Sequence, residues 1–360
     1  MLTLYVDRGR FLQHLASVVE TFPGIVPVAK GNGYGFGVGL LASLAQGLDA
    51  DTLAVGTYDE LASTADFDGS LLVLTPWRPF EQTDYLDDPR VIHTVGRLED
   101  LRDLAARASQ PRVVLERMTS MLRHGFTARG LREAGDLLAE ARAPTDLSTD
   151  PGAEDEGVRV EGVALHLPMA RGSHLAEVER LLTDVVASGI DTKCVYVSHL
   201  GADELRALGE RWPDFTFRPR IGTQLWLGDR EALSVRATVL DVHEVQRGDV
   251  FGYRGRSAPK HGSIVVVSGG TAHGIGLEAP GANTSLRDRA AAVARGGLDA
   301  AGFVRSPFTI AGKQRLFAEP PHMQASMLFV PSGVPIPEVG DEIDVRVRFT
   351  ATSFDQITFL

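Results

Sequence analysis

The sequence predicts an α/β protein, with a (β/α)8 barrel of the TIM type followed by a smaller, mostly β C-terminal domain. The first observation is that short apolar, β-branched runs alternate with amphipathic helical stretches over the first 230 residues. The second is that eight such runs in this length fit a closed barrel better than an open sheet. The third is a change of period after about Leu227, where strand-like runs separated by Gly and Pro turns take over.

Each barrel strand is predicted from a short run of apolar and β-branched residues. The eight runs are Ile25–Ala29, Thr52–Gly56, Leu71–Thr75, Val91–Val95, Arg112–Glu116, Gly162–His166, Cys194–Ser198 and Phe215–Pro219. Amphipathic periodicity predicts helices between them at Val38–Leu48, Arg97–Arg107, Arg129–Arg142, Leu175–Ser188 and Asp203–Arg211. These elements place the barrel at residues 11–230.

The remaining residues, 231–360, predict the β domain. Strand-like patterns cover Val235–Val245, Ser263–Ser268, Ala325–Val330 and Glu342–Phe349, and the one plausible helix is the Ala- and Arg-rich segment Ser285–Ala301. Within the barrel, residues 143–159 are rich in acidic residues, Pro and Ser. That composition predicts a solvated, mobile loop.

The overall composition excludes several classes of function. A formal net charge of −11 argues against nucleic acids and anionic membranes as partners. A single cysteine, Cys194, rules out an internal disulfide and a multi-thiolate metal site, and we predict no bound metal. Neither a signal peptide nor an apolar run of membrane-spanning length is visible, so we expect a cytoplasmic protein.

The most informative stretch is Pro27–Gly37, with the sequence PVAKGNGYGFG. An apolar run ends on Lys30, and four glycines follow within seven residues. A lysine at a strand end is partly desolvated, which favours the neutral amine that attacks carbonyl carbons. Two other interpretations are a surface lysine beside a flexible turn and a nucleotide-binding glycine motif. The glycine motif lacks the proper third-glycine spacing and leaves Lys30 unexplained.

The segment VAKGNGYGFG resembles the cofactor-lysine motif of alanine racemases and their fold-type III relatives, which is usually close to VVKANAYGHG. In that family the lysine holds pyridoxal phosphate as a Schiff base, and the tyrosine reaches the phosphate. The resemblance therefore implies Lys30 and Tyr34 for these roles. It also implies that the first strand, Leu2–Val6 within residues 1–10, joins the β domain.

A barrel places its chemistry at the carboxyl ends of its strands. Five residues with suitable chemistry fall at or just beyond the ends of predicted strands, and they are Lys30, Glu116, His166, Ser198 and Arg220. This convergence supports the interpretation of Lys30 independently of the motif.

Arg123 lies in RMTSMLRHGF, which is similar to the family segment DTGMGRLG. In relatives this arginine contacts the cofactor's phenolic oxygen and the substrate carboxylate, and a planar, permanently charged guanidinium suits both contacts. Glu116 stands seven residues earlier, where many relatives carry a carbamylated lysine. We hypothesise that its carboxylate orients Arg123. The bland interpretation is a surface arginine.

Three further segments match cofactor contacts of the family. His166 in GVALHLPMA matches the histidine against the cofactor ring, and Ser198 in YVSHLGADEL matches the phosphate-binding serine, with His199 as its rival. Arg220 begins RIGTQLWLG, which resembles RPGIALYG. There the arginine donates to the pyridine nitrogen, and backbone amides, here of Gly222 and Thr223, hold the phosphate. A cationic partner keeps that nitrogen unprotonated, which suits proton removal and rapid return.

The resemblance is weaker in the β domain. Tyr253 in VFGYRG matches a tyrosine near the domain entrance, but Thr271 in GGTAHG stands where racemases have the second catalytic tyrosine of GYADG. The segment HMQASMLFV resembles CMDQLMVDV, which implies Met323 and Gln324 at the substrate, with glutamine replacing aspartate. A threonine hydroxyl lacks the reach and acidity of a phenol. His273 is either a replacement base or a loop histidine.

The sequence therefore predicts a pyridoxal-phosphate-dependent racemase of a small amino acid, most simply alanine, whose activity is low because the catalytic tyrosine is replaced. The resemblance implies a homodimer with shared active sites. One alternative is a different reaction on a small D-amino acid, but relatives of that kind hold a metal with His and Cys or Asp, and no such pair is apparent. The other is a pyridoxal-phosphate-binding protein without racemase activity.

Overall fold

The computed structural model describes residues 1–81, 83–107, 109–141, 157–169, 172–277 and 304–360. Within them the chain divides into two compact units. The barrel unit comprises Gln13–Gly33 and Gly37–Gly228, and the β unit comprises Met1–Leu12, Tyr34–Phe36 and Asp229–Leu360. The predicted helix Ser285–Ala301 and most of the predicted loop 143–159 lie outside the described residues.

The chain begins with strand β1 (Leu2–Val6) and helix α1 (Arg8–Thr21). The barrel strands are β2 (Val26–Pro27), β3 (Thr52–Val55), β4 (Ser70–Val73), β5 (Val91–Val95), β6 (Arg112–Arg117), β7 (Arg159–Leu165), β8 (Cys194–Val197) and β9 (Thr216–Ile221). The helices that follow are α2 (Val38–Gln46), α3 (Leu98–Ala105), α4 (Ala128–Ala141), α5 (Leu175–Ala187), α6 (Ala202–Arg211) and α7 (Thr223–Leu227). A 3₁₀ helix, Tyr58–Ser63, follows β3 in place of an α-helix.

The eight described barrel strands are parallel and pair in the order β2-β9-β8-β7-β6-β5-β4-β3. A parallel bridge between Val28 and Ala54 joins the two ends of this order, so the sheet closes. Strands β2 to β8, together with the residue just after β2, contribute buried apolar side chains to one core cluster: Val26, Val28, Ala54, Leu72, Ile92, Val114, Ala164 and Tyr196. The predicted (β/α)8 barrel is confirmed, and its packed interior leaves the strand ends as the place for chemistry.

The β unit is built around the long strand β10 (Leu233–Val245), which pairs with three partners along its length. Its other strands are β11 (Val250–Phe251), β12 (Arg256–Ser257), β13 (Gly262–Ser268), β14 (Arg305–Ile310), β15 (Lys313–Phe317), β16 (Ala325–Pro331), β17 (Glu342–Val345) and β18 (Gln356–Phe359). The main sheet runs β13-β16-β15-β14-β17-β10-β1-β18, with a further β10–β13 pairing that closes part of it. The mostly β C-terminal domain is thereby confirmed, and β1 lies in its sheet.

Several strand boundaries differ from the predicted ones. Strand β17 ends at Val345 rather than Phe349, because Phe349 begins a 3₁₀ helix. Strands β11, β12, β14, β15 and β18 are absent from the prediction. In β14 and β15, Pro307 and the polar run Lys313–Arg315 obscure the alternating pattern. In the described part of the chain, no helix is both long enough and apolar enough to cross a membrane.

Candidate active site

Lys30 stands at the carboxyl end of β2, where the structure turns the chain out of the barrel wall. The Ala29 amide still pairs with Ala54 O at 2.8 Å, and after Lys30 the Gly33 amide turns back to Lys30 O at 3.1 Å. Gly33 has a φ of +58°, and a Cβ there would lie 2.7 Å from the Val38 nitrogen, so only glycine fits this turn. The Lys30 side chain is exposed at the strand end.

The surroundings of Lys30 favour its neutral form. Partial desolvation lowers the pKa of the Lys30 amine, the positive charges of Arg123 and Arg220 lower it further, and the Glu60 carboxylate opposes them. A lowered pKa increases the fraction of unprotonated amine near neutral pH. Lys30 is therefore suited to attack a carbonyl carbon and to exchange protons.

Glu60, which the sequence analysis missed, anchors the turn after Lys30. It lies in the 3₁₀ helix after β3, and its two carboxylate oxygens accept hydrogen bonds from the Gly31 amide at 2.8 Å and the Gly56 amide at 2.6 Å. A Cβ on Gly56 would lie 3.0 Å from Glu60 Oε2 and 3.1 Å from the Lys30 Cβ. The carboxylate thus ties the end of β3 to the residue directly after the lysine. The only sequence signal is an acidic residue shortly after a barrel strand.

Replacing Glu60 with glutamine is expected to lower the pKa of Lys30 further, because the negative charge that opposes the lowering is removed. It also weakens two hydrogen bonds to a charged acceptor, worth about 1.5–3 kcal/mol of unfolding free energy each. The pH dependence of Lys30 acetylation, followed by mass spectrometry in cofactor-free protein, should move to lower pH. Asp59→Asn, at an adjacent exposed residue, is the matched control. An unchanged midpoint for Glu60→Gln would contradict this role.

Arg220 and Glu116 are buried ionisable side chains at the barrel mouth. Arg220, near the end of β9, donates from Nη2 to Leu165 O at 3.3 Å, but its buried Nε–H has no partner among the described residues. Glu116 lies in β6, and its buried Oε2 is likewise without a described partner. Burial raises the pKa of Glu116, and Arg220, Arg123 and Arg78 oppose that rise. A buried donor without an acceptor is costly, so Arg220 Nε–H is a place where a bound ligand would supply the missing partner.

His166 follows β7 and is held in a single orientation. Its Nδ1 lies 2.9 Å from Ser198 Oγ, which also accepts a hydrogen bond from the Leu167 amide at 3.2 Å. Because the Ser198 hydroxyl oxygen accepts from the Leu167 amide, the hydroxyl proton can be donated to His166 Nδ1. Nδ1 is then the acceptor, so neutral His166 carries its own proton on Nε2. Burial and the nearby charge of Arg220 lower the pKa of His166 to about 3. His166 is therefore a neutral ring at physiological pH.

Ser198 and His199, the two candidates for the phosphate contact, differ in burial and in their hydrogen bonds. The Ser198 hydroxyl is buried and engaged with His166, whereas His199 is exposed, has a φ of +59°, and lies with its ring centroid 5.5 Å from that of His166. Burial, Arg220 and Lys30 lower the pKa of His199. Its backbone conformation is uncommon for a residue other than glycine.

Three other predicted residues of the barrel unit stand at its strand ends. Arg123 is exposed and makes no hydrogen bond or ion pair with another described residue. Gly222 precedes the short helix α7, and the Trp226 indole in that helix donates to Val28 O at 2.8 Å, which fixes the helix against the residue after β2. Thr223 is the exposed first residue of α7.

Tyr34 belongs to the β unit, unlike Lys30. It is buried, and its φ of +55° places it in the left-handed region. At the next residue, Gly35, a Cβ would lie 2.8 Å from the Phe354 ring. The aromatic core of the β unit therefore holds this short segment closely.

The structure brings the predicted residues of the β unit together at one loop pair. The Thr271 amide donates to His322 O at 2.8 Å, the Ala272 amide to Met323 O at 3.0 Å, and the Gly269 amide to Gln324 O at 3.0 Å. Thr271, Met323 and Gln324 are exposed. Tyr253 is 93% exposed on the loop after β11.

His273 lies in the same 3₁₀ helix as Thr271, but its ring is buried and both nitrogens are engaged. Nδ1 accepts a hydrogen bond from the Gly270 amide at 3.2 Å, and Nε2 donates to Asp355 at 2.9 Å. Asp355 also accepts from the Leu2 amide at 2.7 Å. Burial would raise the pKa of Asp355, but the hydrogen bonds from His273 and Leu2 outweigh it and the pKa is lowered. This arrangement leaves His273 without a free lone pair.

Across the residues that the structure describes, no group of three or more His, Cys, Asp or Glu side chains is arranged to hold a metal ion.

Comparison with known proteins finds that this chain is similar to alanine racemases. Residues 6–202 match the family model described as alanine racemase, N-terminal domain. The chain is 26% identical over 304 residues to the alanine racemase of Nitratidesulfovibrio vulgaris, which covers 78% of each chain. It is 29% identical over 127 residues to the alanine racemase of Campylobacter jejuni, covering 35% of this chain and 36% of that one.

Solved structures share the fold at low identity. The alanine racemase of Bacillus anthracis with bound L-Ala-P superposes with a TM-score of 0.70 at 20% identity, covering 96% of this chain and 85% of that one. The alanine racemase of Bartonella henselae with covalently bound pyridoxal phosphate gives a TM-score of 0.69 at 16% identity, covering 100% and 99%. These likenesses show the barrel and β architecture.

Proposed function

Since the chain belongs to the alanine racemase family, we propose that it is a pyridoxal-phosphate-dependent racemase that interconverts L- and D-alanine. The observation that carries the proposal is the barrel mouth. There Lys30 has a lowered pKa beside two cationic groups, and Arg220 keeps a buried N–H donor without an acceptor. A cofactor that carries an aldehyde needs a nucleophilic amine to bond to, which Lys30 provides. Its ring also needs a hydrogen-bond donor, which the Arg220 Nε–H provides.

The residues present fit pyridoxal phosphate. The Arg220 Nε–H would donate to a ring nitrogen that has a free lone pair, and Lys30 would form the covalent bond to the aldehyde carbon. His166 is a neutral, fixed ring that would lie against an aromatic cofactor without adding charge. Because Arg220 is a cation rather than an acidic residue, the pyridine nitrogen of the cofactor would stay unprotonated.

When bound, pyridoxal phosphate withdraws electron density from the α-carbon of an attached amino acid and so makes the α-proton removable. The Lys30 amine would move that proton on one face of the α-carbon. Arg123, exposed at the barrel mouth, binds the substrate carboxylate through its planar fork of donors. Glu116 interacts electrostatically with Arg123 and Arg220, whose charges oppose the rise in its pKa that burial causes.

Further contacts are proposed from the family motifs alone. The backbone amides of Gly222 and Thr223, the hydroxyls of Tyr34 and Ser198 and the ring of His199 are assigned to the phosphate. Met323 and Gln324 are assigned to the substrate. The engagement of Ser198 with His166 favours the exposed His199 among the two rivals.

Racemisation needs a second proton-transfer group on the opposite face, where the family uses a tyrosine. Thr271 stands at that position, and a positioned acid or base contributes about 10²- to 10⁴-fold. We therefore propose a racemase that is slower than typical members. His273 was the expected substitute for the tyrosine, but its ring is held by Gly270 and Asp355.

The test is inversion of alanine by purified protein supplied with pyridoxal phosphate, measured from each enantiomer by chiral chromatography. We expect both directions to proceed to an equimolar mixture, and more slowly than with a tyrosine-containing family member assayed alongside, by at most the 10²- to 10⁴-fold, roughly, that one positioned acid or base contributes. Omitting the cofactor from stripped protein is the control. Turnover of alanine to another product, or no inversion with cofactor bound, would contradict the proposal.

We also propose a homodimer in which both copies contribute to each active site. Family membership supports it, and a site that removes α-protons benefits from exclusion of water by a second body. Sedimentation equilibrium at micromolar concentration should give twice the chain mass of 38.8 kDa. A single species at the chain mass would contradict the dimer.

A further inference from the structure

A histidine–carboxylate pair lies in the β unit beside Thr271. His322 stands between β15 and β16, and its Nε2 lies 2.7 Å from Glu319 Oε1. The His322 side chain is 46% exposed, whereas that of Glu319 is 1% exposed. A buried carboxylate behind an exposed imidazole is the arrangement that orients general bases in enzymes.

Glu319 is fixed and ionised. Its carboxylate accepts hydrogen bonds from the Tyr253 amide at 3.1 Å and the Arg254 amide at 3.4 Å, in addition to the one from His322. Burial would raise the pKa of Glu319, but these three hydrogen bonds outweigh it and the pKa is lowered. Gly252, where a Cβ would lie 2.5 Å from a Glu319 oxygen, allows the loop to approach this closely.

The pairing determines the tautomer of neutral His322. An ionised carboxylate only accepts hydrogen bonds, so Nε2 carries the proton and Nδ1 carries the free lone pair. That Nδ1 makes no hydrogen bond to any described residue, and the ring is half exposed. His322 is therefore available to take a proton, in contrast to His273.

The position of His322 matches that of the missing catalytic group. Its carbonyl oxygen accepts the Thr271 amide at 2.8 Å, so the two residues are neighbours across the loop pair. Thr271 occupies the place of the family's second catalytic tyrosine, and Met323 and Gln324, assigned to the substrate, directly follow His322 in the chain.

We propose that His322, oriented by Glu319, is the second acid–base residue of the racemisation; this rests on the proposed function. From one enantiomer, His322 Nδ1 takes the α-proton and becomes imidazolium, and the protonated Lys30 amine gives a proton to the other face. From the other enantiomer the two groups exchange roles. One proton is removed and one is returned in each direction, so the reaction is balanced.

The experiment is solvent-deuterium exchange at the α-carbon of each alanine enantiomer, followed by NMR in the holoenzyme. In His322→Gln, exchange of one enantiomer should fall by about 10²- to 10⁴-fold while that of the other stays within a few-fold of wild type. His243→Gln is the matched control. His243 lies 3.3 Å from Asp241 in the same unit, but both side chains of that pair are more than half exposed, and it should change neither rate.

A second readout does not depend on turnover. In ¹⁵N-histidine-labelled protein without substrate, the His322 ring should show the Nε2–H tautomer, and Glu319→Gln should change it to a mixture. Equal loss of exchange for both enantiomers in His322→Gln, no loss for either, or an Nδ1–H tautomer would overturn the inference alone. Absence of exchange in the wild type with either enantiomer would overturn the proposed function and the inference with it.

Discussion

Replacing Lys30 with alanine is expected to leave the protein without covalently bound pyridoxal phosphate and to slow α-proton exchange of alanine by about 10⁴-fold, the upper end of a positioned base's contribution. Lys30 has both the exposed position at a strand end and the lowered pKa that the covalent bond and the proton transfer need. The colour of bound pyridoxal phosphate and the α-proton exchange should be lost together, because the Lys30 amine is proposed both to bind the cofactor and to transfer the proton.

The covalent bond can be mapped directly. Borohydride reduction followed by peptide mass analysis should place the cofactor on Lys30 among the four lysines of the chain, which are Lys30, Lys193, Lys260 and Lys313. Lys193→Ala is the matched control, since Lys193 lies just before β8 at the opposite, amino end of the barrel. Colour that is fixed to another lysine, or retained with full exchange in Lys30→Ala, would disprove the assignment.

Replacing Arg220 with methionine is expected to have the second largest effect, a loss of about 10²- to 10³-fold in alanine racemisation, as for removal of one preorganised donor. The buried Nε–H that has no partner among the described residues is lost, along with the charge that opposes the raised pKa of Glu116. The pKa of Glu116 should therefore rise further, so that this carboxyl takes up its proton at higher pH. Titration of ¹³C-glutamate signals, assigned with Glu116→Gln, measures this shift.

Two further variants separate charge from hydrogen bonding. Arg220→Lys keeps the charge but lacks the guanidinium Nε–H, so the pKa of Glu116 should stay near that of the wild type while activity still falls. Arg218→Met changes an arginine on the same strand, two residues nearer its amino end, which bonds to Asp51 rather than facing Glu116. It should leave the Glu116 titration unchanged. Full activity in Arg220→Met would remove Arg220 from the cofactor site.

The barrel was predictable from sequence because most of its strands are local runs of apolar residues, as in β3 and β4. Lys30 was predictable for the same reason, since a β-branched run that stops at a lysine and glycines marks a strand end. Glu60 was not, because its role consists of hydrogen bonds to Gly31 and Gly56 that depend on how β2 and β3 meet. A local pattern carries no information about such a contact.

The β unit shows the same limit. Its strand β14 contains Pro307 and β15 is largely polar, so neither has the alternation that predicts a strand. His322 was overlooked in favour of His273, which follows Thr271 more closely in sequence. The two histidines differ in burial and hydrogen bonding: both ring nitrogens of the buried His273 are engaged, whereas His322 is exposed and pairs with the buried Glu319. The sequence Glu-Pro-Pro-His alone does not indicate whether the glutamate or the histidine side chain is buried.

The pairing of β2 with β9 has a consequence for how the protein is made. Val26 pairs with Arg220 and Pro27 with Ile221, so the first barrel strand is held by the last. During synthesis, Lys30 leaves the ribosome long before Arg220 exists, and neither can take its final position until β9 has been translated. Contacts between such distant segments form late because loop closure must be achieved first. The nascent chain therefore carries Lys30 through much of translation without Arg220, and if both residues bind the cofactor as proposed, we expect its capture to follow the synthesis of β9.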